Sequence, residues 1–345
     1  MNSPLHLLQA YQFELPERLV AQRPIEPRDH ARLMVIDRKR GDIDEIPFHQ
    51  LTQLLQPKDR LILNNAKVLP AKLFAQKETG AQIELLILQQ IETNLWKAKA
   101  RPTKKLKKGT KLNLPNNSSA IVQNAPNNGY IHLLFQKEDN VPQLMKQYGL
   151  MPIPHYIRKG LADTEDATDY QTVFAEASGA LASPTAGLHF TSRMLEEIES
   201  MGVESLKVTL NVGLGTFQPV KVEEIRLHEM HYETYEISEE VASSINHAEL
   251  GRTVCIGTTS LRALESATDA SGQLHAGRRE TNLFVYPGYQ FRCNTSLLTN
   301  FHLPGSTLLM LVSAFGGYDL IRTAYQKAIK EGFRFYSYGD AMLIL

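Results

Sequence analysis

The sequence predicts an α/β protein, with one large α/β domain built on a substantially parallel sheet and a small inserted antiparallel β-barrel domain. Three observations carry this. From Tyr148 onward, apolar strand-like runs alternate with amphipathic helical runs, the order that builds a helix-covered parallel sheet. Between residues 70 and 150, short alternating runs are separated by Gly, Pro and Asn clusters and helical periodicity is almost absent. Residues 1–69 mix short strands with loop. The simplest organisation joins 1–69 to 151–345 as the large domain, with 70–150 inserted.

Taken in order, "RLMVID" and "DRLILNN" read as strands ending in polar turns. "AQIELLIL", "LWKAKA", "SSAIVQ" and "YIHLLF" supply the barrel, and "VPQLMKQYG" closes it as a helix. "FTSRMLEEIESMG" sets Met194, Leu195, Ile198 and Met201 on one helix face, with Gly202 as the stop. "SLKVTLNV" is a strand. In "SEEVASSINHAELG", Ser238 is the N-cap, two glutamates occupy the first turn, and Gly251 ends the helix. "RTVCIG" is a buried strand, "SLRALESAT" a helix, and "TNLFVYPG" and "LLTN" strands. "STLLMLVSAF" and "DLIRTAYQKAIKEG" are helices, and "RFYSYG" is the last strand.

Lys+Arg and Asp+Glu are 37 each, so no whole-molecule field draws nucleic acid or a membrane, and any nucleic-acid site must be a local patch. The two cysteines, Cys255 and Cys293, sit in apolar runs and read as reduced thiols of a cytoplasmic protein. The N-terminal residues lack a basic start followed by an apolar core, so no signal peptide is expected, and the run around "TLLMLVSAF" is too short to span a bilayer.

Four turns follow strands: "ASPTAGLHFT", "NVGLGTFQPV", "GTTSLRALES" and "TNFHLPGST". Ligands of open α/β sheets gather at the carboxyl ends of strands, where helix N-termini offer free N–H groups. Thr258, Thr259 and Ser260 begin a helix that Thr259 or Ser260 can cap, and Arg262 stands one turn in to clamp an anion. The same residues also fit a plain capped helix with a solvent-facing arginine. "NVGLGTFQPV" lacks the third glycine of a dinucleotide turn and carries Pro219, which costs about 3 kcal/mol inside a helix. Gly215, Thr216 and Phe217 instead suit close approach to a flat ligand, or a structural turn. His189, with Thr185 and Gly187 nearby, and His302, with Asn300 before it, lie in rigid aromatic-flanked loops. They are acid/base candidates, although loop histidines also serve as structural hydrogen bonders. His228 and His231 form H-x-x-H, without the spacing of metalloproteases or an obvious further ligand, and read as a substrate-facing pair rather than a metal site. The acid-free run 96–111 holds Lys99, Arg101, Lys104, Lys105, Lys107 and Lys108, which suit a polyanion or form a solvated hairpin.

The segments "FELPERLVAQRP", "LILNNAKVLPAKL", "DYQTVFAEASGALASPTAGLHFT", "VGLGTFQPV", "GTTSLRALES", "LFVYPGY", "TNFHLPGSTLLMLVSAFGGY" and "FYSYGDAMLI", in this order, resemble the S-adenosylmethionine:tRNA ribosyltransferase-isomerases of queuosine biosynthesis. The resemblance runs from about residue 11 to the C-terminus. Asn211 stands where that family usually has histidine, His155 where a second proline is common, and Ser183 where alanine is common.

The resemblance implies that S-adenosylmethionine donates its ribosyl carbons to a 7-aminomethyl-7-deazaguanine at the wobble position of tRNA. The product is epoxyqueuosine, with adenine and methionine released. It implies a cytoplasmic enzyme with no metal or redox cofactor, S-adenosylmethionine as co-substrate, and a tRNA with a GUN-type anticodon as partner. No membrane is involved, and a monomer is expected. The implied roles are proton transfer by His189 and His302, and a methionine-carboxylate site at Thr258, Thr259, Ser260 and Arg262. Adenine or deazaguanine faces are expected at Gly215–Phe217 and at Tyr286. Asn65, Lys67, Asp169 and Tyr170 are expected to meet ribose hydroxyls or the anticodon backbone, and the lysine run to grip tRNA phosphates. The rival readings are a nucleotide-binding oxidoreductase, a metal-dependent hydrolase, and a tRNA-binding protein without chemistry.

Overall fold

Leu-, Ile- and Val-rich runs bounded by polar turns assemble into a nine-stranded sheet. Its strand order is Gly277–Thr281, Glu233–Ile237, Glu204–Leu210, Arg60–Asn64, Thr253–Ile256, Thr295–Asn300, Ala341–Ile344, Arg32–Asp37 and Asp42–Pro47. The computed structural model describes residues 3–104, 106–213, 220–247 and 251–345. The four central strands, from Glu204–Leu210 to Thr295–Asn300, run parallel. Antiparallel pairings flank them, and Ala341–Ile344 pairs parallel with Arg32–Asp37.

Every residue of Arg60–Asn64 and Thr253–Ile256 is buried, as parallel strands covered on both faces require. On one face, Leu33, Leu61, Leu63, Val254, Ile256 and Leu298 pack against Phe48, Phe190, Met194 and Ile198. The last two come from the helix Ser192–Ser200, whose Thr191 side chain accepts from the Met194 N–H. Its apolar face is the one the spacing predicts. Ser238 and Ser306 cap the helices Glu239–Asn246 and Thr307–Gly316 in the same way.

Two expected strands are displaced. In "RFYSYG", Tyr336 has φ +73° and the chain turns, with the Gly339 N–H donating to the Tyr336 carbonyl. Its aromatic alternation reflects packing, since Phe335 lies against Phe301 and Tyr325. The last strand is Ala341–Ile344 instead. Likewise "TNLFVYPG" is irregular, and the strand is the charged Gly277–Thr281 before it. That segment is the sheet's outer edge, where charge guards unpaired backbone groups.

The chain divides into two units, Met1–Lys67 with Asp169–Leu345, and Val68–Thr168. Residues 151–168, expected with the large domain, cluster with the smaller unit. That unit holds a closed barrel, in which Tyr130–Phe135, Leu95–Arg101, Gln82–Glu92, Lys72–Lys77, Lys111–Asn113 and Ser119–Val122 pair in a ring. Ile83, Leu85, Ile87, Trp96, Ala98, Ala100, Ile131 and Leu133 are buried, and their period of two sets the intervening side chains outside.

Candidate active site at the carboxyl edge of the parallel strands

Because the central strands are parallel, the turns after Ile256 and Asn300 leave the sheet at the same edge. The short helical turn Thr185–His189 packs against the strand Thr295–Asn300. Asn300 joins the two. Its Nδ2 donates to His189 Nε2 at 3.2 Å, and its Oδ1 accepts from Thr185 Oγ1 at 2.8 Å. His189 also stacks on Phe48, with centroids 4.9 Å apart. Burial, with the Arg334 and Arg28 guanidiniums nearby, pushes its pKa down to about 3. The ring is therefore neutral near pH 7.

His302 follows Asn300 by two residues. Its Nε2 lies 2.9 Å from Thr299 Oγ1, and its N–H donates to Tyr325 Oη at 2.8 Å. Burial alone lowers its pKa to about 3.

The third turn reaches the first at Gly257. There φ is +95°, which favours glycine, and an added β-carbon would lie 3.6 Å from Ala186 Cβ and 3.4 Å from Thr259 Oγ1. Gly257 itself is the N-cap of the helix Thr258–Ala267 and provides no side-chain cap. Neither Thr259 nor Ser260 takes that role, because Ser260 Oγ donates back to the Ile256 carbonyl. Arg262 is not solvent-facing. It is 4% exposed and forms a buried ion pair with Glu233, whose other oxygen accepts from the Gly213 N–H at 3.1 Å. Arg262 Nε donates to the Leu283 carbonyl. Glu233 thus ties the turn after Leu210 to this helix.

Around this edge Ser183 Oγ, Asn211 Oδ1, Thr259 Oγ1 and Arg262 Nη2 are buried without a hydrogen-bond partner among the described residues. Each such group costs about 1–3 kcal/mol while it stays unpaired. Gly187 has a packing reason of its own. A β-carbon there would meet Phe174 Cζ at 2.5 Å and Thr172 Cγ2 at 2.9 Å.

The model of the family described as "Queuosine biosynthesis protein" matches residues 8–344. The S-adenosylmethionine:tRNA ribosyltransferase-isomerase of Trichlorobacter lovleyi is 45% identical over 98% of this chain and 100% of that protein. That of Desulforamulus reducens is 46% identical over 98% and 99%. A solved structure, the S-adenosylmethionine tRNA ribosyltransferase of Thermotoga maritima, is 36% identical, covers 97% of this chain and 100% of its own, and superposes with a TM-score of 0.54. The chain belongs to the queuosine biosynthesis protein family. The comparisons support neither the oxidoreductase nor the hydrolase reading.

In this queuosine-family chain Asp169 and Tyr170 adjoin Arg28 and Tyr338, which line a small cleft with His189, and the other expected residues have partners of their own or are exposed. His228 is half-buried and meets Phe284 edge-on at 5.5 Å, and Phe284 meets Tyr286 at 5.2 Å, so His228 and Tyr286 share one aromatic run. Burial first, then His231, lowers the His228 pKa. His231 is exposed, and no group of three or more metal-ligating side chains occurs among the described residues. Asn65 is engaged internally: Thr209 Oγ1 donates to its Oδ1 at 2.7 Å, and its Nδ2 reaches Glu176 at 3.4 Å. Lys67 is exposed. Asp169 pairs with Arg23 at 3.5 Å and Arg28 at 3.9 Å, and Tyr170 is buried edge-on against Tyr338. Gly215, Thr216, Phe217 and Lys105 lie outside the described residues.

On the barrel unit, Lys99 and Arg101 share the outer face of Leu95–Arg101, and Lys104, Lys107 and Lys108 are exposed. Lys97 and Lys99 sit 5.2 and 5.7 Å from the Tyr130 ring centre. Among the described residues these cations have no carboxylate partner. Sequence reasoning missed Phe48, Arg28 and Arg334, which lie in unrelated segments with no local pattern to mark them, and noted Glu233 only for its nearness to His228 and His231.

Proposed function

We propose that this chain uses S-adenosylmethionine to modify tRNA as a ribosyltransferase-isomerase, placing the rearranged ribosyl carbons on 7-aminomethyl-7-deazaguanine at the wobble position. The product is epoxyqueuosine-tRNA, with adenine and methionine released. The observation that supports this most is the junction of Thr185, His189 and Asn300 beside Gly257, in a chain matched over nearly its whole length by relatives so named.

In this reading the sulfonium acidifies the ribose C5′ hydrogens, and a neutral imidazole accepts a proton. His189 and His302 both start neutral. A proton taken by either gives an imidazolium that can protonate adenine as it leaves. Arg262 Nη2, Thr259 Oγ1 and the N–H groups of Thr258 and Ser260 would receive the methionine carboxylate. The barrel lysines would bind tRNA phosphates while the target base is unstacked. The reading carries no metal or redox cofactor, a GUN-type anticodon, a monomer, and a cytoplasmic setting that suits the free thiols of Cys255 and Cys293. No helix among the described residues is long and apolar enough to cross a membrane.

Incubation with S-adenosylmethionine and tRNA carrying the aminomethyl-deazaguanine tests it. Adenine release in step with formation of the modified nucleoside is expected, and its absence would end the proposal.

A further inference from the structure

We propose that the cavity between the N-terminal turn Leu8–Tyr11 and the helices Thr307–Gly316 and Tyr318–Lys330 is a second ligand site, and that it takes a free purine nucleoside monophosphate. It lies wholly within the larger unit, and none of Thr185, His189, Asn300 and Gly257 lines it. Its volume is about 380 Å³, within the range that holds a small organic ligand. Nothing in it depends on the reaction proposed above.

The walls are held in place from both sides. On the helix Tyr318–Lys330, the lining residues Tyr318, Arg322, Gln326 and Ile329 recur at spacings that set them on one face. The facing strap, residues 9–13, is tied down by its backbone. The Gly305 N–H donates to the Tyr11 carbonyl at 2.8 Å, and Tyr318 Oη donates to the Ala10 carbonyl at 2.6 Å. Phe13 and Tyr318 are half-buried rings, each braced edge-on by a buried tyrosine, Tyr325 at 5.4 Å and Tyr11 at 5.9 Å. Braced rings offer apolar surface to a flat ligand at low entropic cost.

The polar groups set the chemistry. Gln9, Gln12, Arg322 and Gln326 are exposed lining residues, and among the described residues none of these side chains has a hydrogen-bond or ion-pair partner. Arg322 brings a positive charge, and among the described residues no carboxylate lines the cavity. That balance selects an anion, and a guanidinium fork matches a phosphate. The sulfonium and ammonium of S-adenosylmethionine would find no counter-charge here, so the donor is not the ligand. A carboxamide presents an acceptor and donors side by side, the pattern that pairs with a purine edge. Rings, carboxamides and one cation together describe a base that carries a phosphate.

The test titrates adenosine monophosphate (AMP), and separately adenosine, into the full chain by calorimetry. Wild type is compared with Arg322→Gln and Gln326→Ala. Tyr325 is left unaltered because its hydroxyl also accepts from the His302 N–H. One AMP per chain is expected, held about tenfold more tightly than adenosine. Arg322→Gln should weaken AMP about tenfold and leave adenosine unchanged, the signature of a phosphate on that guanidinium. Gln326→Ala should weaken both ligands alike. Both side chains are exposed, so neither change should move the urea midpoint. Saturating S-adenosylmethionine should leave AMP binding in place. No binding of AMP at millimolar concentration, or equal affinity in Arg322→Gln and wild type, would overturn the site. Displacement of AMP by S-adenosylmethionine would put AMP in the donor site and overturn the proposal as well. Displacement by an anticodon stem-loop RNA whose own affinity falls in Arg322→Gln would assign the cavity to a nucleotide of that RNA and overturn the free ligand.

Discussion

Asn300 holds His189 through one end of its amide and Thr185 through the other, at 3.2 and 2.8 Å. A single side chain at the end of a parallel strand therefore sets both the ring orientation and the position of the preceding hydroxyl. A neutral imidazole accepting at Nε2 carries its proton at Nδ1, so the amide also selects the tautomer.

Replacing Asn300 by Ala should therefore reduce kcat for adenine release by at least about tenfold while changing KM for the donor much less. The lost buried hydrogen bonds should cost about 1–3 kcal/mol of stability, read from urea unfolding. Unchanged kcat would remove Asn300 from the positioning of His189.

The Glu233–Arg262 pair predicts a larger structural effect. Both side chains are about 5% exposed, so neutralising one leaves a buried charge uncompensated. Glu233→Gln should destabilise the fold by about 3–5 kcal/mol, and adding Arg262→Met should recover much of that loss. Equal unfolding midpoints for Glu233→Gln and wild type would show that the pair does not bear on stability.

Stability should fall on the acid side of neutrality. His189 and His302 have pKa values near 3 in the folded chain, against about 6.5 unfolded. The stabilisation is fully present above pH 6.5. Below it the unfolded state binds protons that the folded state does not, and the loss continues until about pH 3. Each histidine should cost about 1.4 kcal/mol per pH unit within that window. Urea midpoints measured from pH 7 to pH 5 check this, and His302→Gln should flatten the dependence.

Neutralising Lys104, Lys107 and Lys108 together should flatten the salt dependence of tRNA binding by about 2–3 in slope. Their exposure and lack of partners predict little change in folding stability. A slope equal to that of wild type would make this patch a solvated face.

The sequence by itself determined the elements that depend on local period and local chemistry. The face of Ser192–Ser200, the cap at Ser238, the fully buried strand at Thr253–Ile256 and the alternation of the barrel strands all follow from spacing and capping residues. It also marked the loops that carry His189 and His302, because rigid turns after strands are visible as residues. Only the tertiary structure decided which side chains meet. Arg262 sits where an anion clamp is expected, but Glu233 from another strand claims part of it. Arg28 and Arg334, far apart in the chain, share a cleft. Strand identity at the edges was also decided there, since the aromatic runs at 283–286 and 334–339 pack on neighbouring rings, while the charged Gly277–Thr281 takes the ladder. Periodicity records which face a segment buries. Pairing between distant segments depends on sheet order, which local spacing does not encode.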